Sequence, residues 1–316
     1  YTSMSLRSFG FSLIGFFVPV FLYKCGIELQ AIFLFYVLFF LFRMPINVAC
    51  AYVIGRIGPK HALGVSTLLY IGFLMFLLSF ELVFWPLWML ALMFSISNGL
   101  FFTAIHTDFS KVKNTKHGGE ELGYLLIFEK IGAALGPLIG GLLATFVSPQ
   151  ASIFIAIFDL LASQIPLMLT KEPVKVHQKI TFRGFEWTKY MRDYVSLGFH
   201  NIDRNAVMVA WPLLIAITVF ADNTYAKLGT LIAITTIISL FITRLFGRLI
   251  DNRRGLELLQ FGTFMNSILY VLRPLSLTPA GVVTVGVFSE PVTLAHSMPL
   301  VKAFYDRADT VKGYRI

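Results

Sequence analysis

Apolar runs about 20 residues long alternate with short polar breaks ten times along this chain, at roughly 6–23, 30–54, 62–80, 84–105, 123–147, 151–170, 195–220, 227–250, 257–273 and 280–301. A helix of about 20 residues crosses the hydrocarbon core of a bilayer. None of the runs alternates with the strict period of two that marks a half-buried strand. The pattern predicts an all-α, polytopic membrane protein.

The polar breaks are unequal, and their inequality sets the orientation. Breaks after even-numbered runs carry Arg56 and Lys60; Lys111, Lys113 and Lys116; Lys171, Lys175, Lys179, Arg183, Lys189 and Arg192; Arg248, Arg253 and Arg254; and Lys302, Arg307, Lys312 and Arg315. Those after odd-numbered runs carry only Lys24, Lys227 and Arg273. Basic residues concentrate on the cytoplasmic side of membrane proteins, so the N-terminus is expected inside. The longest break, 171–194, is a cytoplasmic central loop with Phe182, Phe185, Trp187 and Tyr190 among its charges. It reads either as an interfacial helix on the inner leaflet or as a solvated linker. It divides the chain into a six-run half, 1–170, and a four-run half, 195–316.

Composition agrees. The chain is 57% hydrophobic and 14% charged, with a mean hydropathy of +0.76, whereas soluble domains are about 25% charged. A net charge of +9 sits in the inner loops, so no nucleic-acid partner follows from it. Cys25 and Cys50 flank one run and fall on opposite sides of the bilayer, beyond disulfide reach. No metal cluster and no cofactor are expected. Lys24 and Cys25 follow the first run where a signal peptide needs small residues, so that run is read as a retained helix in a multi-pass protein of the plasma (inner) membrane.

The fifth run contains EKIGAALGPLIGGLLA, residues 129–144. Gly132, Gly136 and Gly140 recur every four residues and form a groove on one helix face into which another backbone fits. Pro137 and Gly141 complete the motif; lipid tolerates such residues because it offers unfolded backbone no hydrogen bonds. Glu129 and Lys130 are adjacent, so they point about 100° apart and cannot neutralise one another. Each needs a partner on another helix or in a water-filled cavity.

The two halves repeat one another. AYVIGRIGPKHAL (51–63) matches GRLIDNRRGLELL (247–259), FVPVF (17–21) matches AWPLL (210–214), and AIHTDFSKVK (104–113) matches AFYDRADTVK (303–312), in the same order. Duplicated units of this kind are a transporter design. At these residues the chain resembles the major facilitator superfamily, whose signature at the exit of the second span reads G-x-L-A-D-R-x-G-R-K. Gly247, Leu249 and Asp251 stand in that pattern, with Arg253 and Gly255 one residue late; in the first copy Arg56, Gly58 and Lys60 match, while Ala51 replaces the first glycine and Gly55 the aspartate. The resemblance implies a bundle of two pseudo-repeated six-helix halves with the second truncated, gating residues at these positions, and, from the run Gly132, Gly136, Pro137, Gly140 and Gly141, an antiporter-type fifth span. Two further C-terminal helices are expected in a complete duplicate.

Charges at membrane depth are costly and mark function. Candidates for the solute path or for proton coupling are Arg43, Glu129, Lys130, Asp159, His200, Asp203, Arg204 and Glu290, with Arg244 and His296 also at depth. Glu129 and Glu290 are the expected proton carriers, because coupling needs a carboxylate that alternates between burial and a cationic neighbour. The expected function is secondary transport of a small solute by alternating access, with proton-coupled export favoured by the fifth-span motif and lipid as the surrounding partner. Two other classes fit less well: a lipid-modifying membrane enzyme, for which no HExxH or GxSxG motif is present, and a non-transporting receptor built on the same fold.

Overall fold

A computed structural model describes residues 2–112, 118–169 and 187–310 of the chain. All ten runs are helical columns. The first is broken into α1 (Thr2–Gly15) and α2 (Val18–Lys24). Then come α3 (Leu29–Ile57), α4 (Pro59–Leu78), α5 (Leu87–Val112), α6 (Gly118–Phe146) and α7 (Pro149–Met168). The second half holds α8 (Trp187–Asn205) and α9 (Trp211–Thr218), joined by a π-helical turn at Ala206–Ala210, followed by α10 (Thr224–Leu249), α11 (Gly255–Leu275) and α12 (Pro279–Thr310). Among the described residues seven stretches meet the length and hydropathy of a membrane span, the last of which, Thr224–Leu275, contains both α10 and α11.

The repeat read in the sequence is visible in the breaks. The first and seventh columns both interrupt their helix just before a proline, Pro19 in α2 and Pro212 in α9. Proline at the second position of a new helix removes an N–H that has no partner there anyway. The second repeated motif also folds twice. Between α3 and α4 the chain turns on Gly58 at φ 86°, a left-handed value glycine adopts without strain. Between α10 and α11 the chain passes through a π-helical turn at Ile250–Arg254, and the left-handed position is Arg253 at φ 60°, not the motif glycine. Gly255 instead opens α11 with an ordinary helical backbone. The left-handed position thus stands two residues before Gly255.

The first half packs on an aromatic core. Phe94 of α5 stacks on Phe73 of α4 at 4.7 Å and on Phe39 of α3 at 4.5 Å, and Tyr70 and Phe11 join the same cluster. Each such pair adds about 0.5–1.5 kcal/mol beyond the area it buries. Lipid is as apolar as these side chains, so close packing and small polar contacts hold the helices together. Ser95 donates to the Phe39 carbonyl, Ser97 to that of Ser66, and Ser152 of α7 to that of Gly140. The α3, α4, α5 triplet is matched by α10, α11, α12, in which α12 packs on both α10 and α11.

Residues 187–194 continue helically into the seventh column as α8; the rest of the central loop, 171–186, lies outside the described residues.

Candidate functional site: the boundary between the halves

Helix α6 belongs to both halves. Its glycine groove takes α1: a Cβ on Gly132 would lie 2.5 Å from the Ser5 carbonyl oxygen, one on Gly136 would lie 2.8 Å from that of Phe9, and one on Gly140 would strike Leu13. The groove the sequence predicted is therefore a seam within the first half, and Ser8 fastens its inner end by donating to the Glu129 carbonyl at 2.7 Å. Gly141 faces the other way. A Cβ there would collide with the Tyr225 carbonyl of α10, and one on Gly229 of α10 would collide with the Pro137 carbonyl. Two hydrogen bonds extend this second seam along the helices. The Ala226 N–H donates to Thr145 Oγ1 at 2.9 Å, and Lys130 Nζ donates to Ser239 Oγ at 2.9 Å.

The adjacent charges separate as their spacing requires. Lys130 reaches into the second half, while the Glu129 backbone is held to α1. Glu290 is half-buried on α12, one turn beyond Gly286, which packs on Leu231 of α10. Residues four apart share a helix face. Glu129 and Glu290 thus sit on the two helices that flank α10.

A third set of contacts joins the halves at the end that the charge count assigns to the outside. Lys24 Nζ lies 4.6 Å from the centre of the Tyr225 ring, and Phe17 meets the same ring edge-on at 5.6 Å. Here α2 packs on α9. At the opposite end α1 and α8 are not packed together among the described residues. Cys25 lies beside this contact. Burial and the nearby Glu81 carboxylate push its thiol up to about 11.

Other predicted residues fall elsewhere. Asp159 of α7 lies against α1, its Oδ2 2.5 Å from where a Gly10 Cβ would be, on the side of α1 away from the α6–α10 seam. Arg43 is half-buried on α3 with its guanidinium 5.1 Å from the Phe102 ring centre and 5.9 Å from that of Phe39. His200 of α8 meets His296 of α12 at 5.3 Å between ring centres. A cavity of about 450 Å³ opens beside them, between α8, α11 and α12. The side chains of Asp203 and Arg204 lie outside the described residues. In the signature motif, Arg56 and Asp251 are exposed, Lys60 is half-buried, and Gly247 has open space where a side chain would go.

Two buried arginines escaped the reading of the sequence. Arg7 of α1 is 7% exposed, donates to Thr67 Oγ1, and lies 3.8 Å from the centre of the Phe101 ring. It stands at the margin of the first apolar run, and only the actual start of α1 at Thr2 puts it inside the bundle. Arg273 looks like a loop cation in the sequence. In the structure it ends α11, is 5% exposed, and donates to Ser289 Oγ of α12 at 3.2 Å.

Two half-bundles packed along α6 and α10, with charges at the boundary and no strand among the described residues, make an all-helical polytopic bundle. The sequence profile of the Major Facilitator Superfamily matches residues 1–314, and the chain belongs to that family. No curated protein matches it in sequence. Among solved structures it is similar to FucP, a Major Facilitator Superfamily transporter, in the outward conformation, at 15% identity and a TM-score of 0.66 over 95% of this chain and 81% of the other. It is similar also to a variant of the E. coli fucose:proton symporter FucP, at 13% identity and a TM-score of 0.66 over 99% of this chain and 84% of that one. Likeness at this identity establishes the fold.

Proposed function

We propose that this secondary transporter couples solute movement to protons, with its halves rocking about the α6–α10 seam and Glu129 carrying the proton. The observation that supports this reading is the position of Glu129 and Lys130 on a helix that packs on both halves, with Lys130 already bonded across the boundary to Ser239. A carboxylate at that depth is disfavoured as an anion unless it is paired. Movement of α6 relative to α10 would alter the surroundings of both charges together. The similar fold of a fucose:proton symporter is a precedent for proton coupling on this architecture. The fifth-span glycine motif, which resembles that of antiporters, favours export across the plasma (inner) membrane. The solute is a small molecule, and the outer contact of Lys24, Phe17 and Tyr225 acts as the external gate.

Proteoliposomes with an imposed pH gradient, screened against a panel of labelled small solutes, test this function. Wild-type protein is expected to accumulate its solute against a gradient. Glu129→Gln is expected to lose that accumulation while retaining solute exchange, because exchange needs alternating access and no proton release. Asp159→Asn, on the far side of α1, is expected to retain both. Full proton-driven accumulation by Glu129→Gln would transfer the role to Glu290.

A further inference from the structure

The duplicated sequence permits a residue-by-residue comparison of the same three-helix junction in the two halves. Matching Pro19 with Pro212 places Arg7 opposite His200. Matching 51–63 with 247–259 places Thr67 opposite Thr263 and Tyr70 opposite Asn266. Matching 104–113 with 303–312 places Ser97 opposite His296 and Phe101 opposite Leu300. The structure obeys this correspondence. Ser97 contacts Ser66 in the first half, and their counterparts His296 and Gly262 touch in the second, where a Cβ on Gly262 would lie 2.5 Å from the His296 backbone nitrogen.

The two junctions differ in how they are filled. In the first half the space between α1, α4 and α5 is occupied by the Arg7 guanidinium, held by the Thr67 hydroxyl and the Phe101 ring face. In the second half the arginine is replaced by His200, the phenylalanine by Leu300 and the tyrosine by Asn266. What remains is the cavity of about 450 Å³, whose lining includes Thr263, Asn266, Tyr270 and both imidazoles. The first half thus supplies its own cation at this junction, and the second supplies only ligands.

We infer that the cavity between α8, α11 and α12 is a binding site for a divalent transition-metal ion such as Zn²⁺, held by His200 and His296, in the position that the Arg7 guanidinium takes in the first half. Imidazole suits Zn²⁺, Ni²⁺ and Cu²⁺ and not the hard cations Mg²⁺ and Ca²⁺. Two imidazoles bound to one ion at about 2.0–2.1 Å with a tetrahedral angle have ring centres about 5 Å apart; these stand at 5.3 Å. His296 Nδ1 is buried with no hydrogen-bond partner among the described residues. Asn266, 5% exposed and lining the same cavity, offers an amide oxygen as a third donor, and the cavity has room for water to complete the shell. The paired imidazoles come from two different columns, α8 and α12, so an ion there would tie the seventh span to the tenth.

The full chain purified in detergent, titrated with Zn²⁺ in a calorimeter and with Co²⁺ by visible absorption, tests the site. One ion per chain is expected, with the intense Co²⁺ bands of four-coordinate geometry. His200→Ala and His296→Ala should each weaken Zn²⁺ binding at least about tenfold, because loss of even an outer-shell partner of a ligand costs about that much. His296→Gln, which keeps the volume, should do the same while leaving the melting temperature without metal unchanged, and Arg7→Met should leave Zn²⁺ binding unchanged. Unaltered binding in the histidine variants, or a Co²⁺ spectrum with only the weak bands of six-coordinate geometry, would overturn the inference. The histidines would then be only a tilted pair in packing contact.

Discussion

Gly141 of α6 and Gly229 of α10 face one another across the boundary between the halves, each so close that a Cβ on one would lie 3.3 Å from the Cα of the other. The neighbouring carbonyls of Tyr225 and Pro137 leave no room for a methyl group on either glycine. The contact sets the spacing of α6 and α10.

Gly141→Ala and Gly229→Ala should therefore push α6 and α10 apart. Overpacking of this kind costs about 1–3 kcal/mol, and the melting temperature in detergent should fall for both variants. Gly247→Ala is the control, because nothing lies within 4 Å of the position where its side chain would go. It should be neutral or slightly stabilising, since alanine is the better helix former by about 1 kcal/mol. Equal melting temperatures for all three would mean that the seam is looser than this packing implies.

The sequence announced these helices and their order because a span must be continuously apolar, and its glycine motif announced that something would approach α6 closely. It did not say that the motif serves two neighbours, Gly132, Gly136 and Gly140 taking α1 and Gly141 taking α10. That assignment depends on which faces the other helices turn toward α6, a property of the assembled bundle. The charges were harder. Glu129 and Lys130 were legible because their apolar context made them anomalous. Arg7 and Arg273 were not, since each lies at the margin of its run, where a cation in solvent is the commoner outcome.

Arg7 should tolerate a neutral replacement better than a conservative one. Thr67 Oγ1 also donates to the Leu63 carbonyl, so removing the guanidinium leaves that hydroxyl partnered, and Arg7→Met fills the space with apolar atoms. Arg7→Lys keeps a charge buried but loses the planar stack on Phe101, worth about 2 kcal/mol in a desolvated site. Thermal melts should rank Arg7→Lys below Arg7→Met. The opposite order would mean that the cation itself is required for folding.

Cys25 should react slowly with maleimides at neutral pH. Burial and Glu81 disfavour its thiolate and hold the thiol near 11, so the reactive form grows only as the pH climbs toward that value. Glu81→Gln removes the repulsion and should move the labelling curve to lower pH. Burial remains, so the midpoint should stay above that of an ordinary cysteine. A midpoint at the usual value in the wild type would mean that the outer end is open to water.

Orientation is checked with two introduced cysteines in a background lacking the native ones. Thr188→Cys, near the start of α8, and Thr278→Cys, between α11 and α12, lie on opposite sides according to the loop charges. An impermeant thiol reagent applied to intact cells should label Thr278→Cys alone. Labelling of Thr188→Cys alone would invert the topology.

The central claim is that solute crosses because the halves separate at the outer end while α6 and α10 stay in contact. The direct measurement is solute flux in proteoliposomes carrying Lys24→Cys and Tyr225→Cys without the native cysteines, before and after treatment with a short bifunctional thiol cross-linker of the reducible type. These two residues already touch across the halves, with the Lys24 ammonium 4.6 Å from the Tyr225 ring centre. Joining them should abolish flux, and reduction should restore it. Undiminished flux with the two residues joined would contradict the account, because the outer ends would then have no need to part.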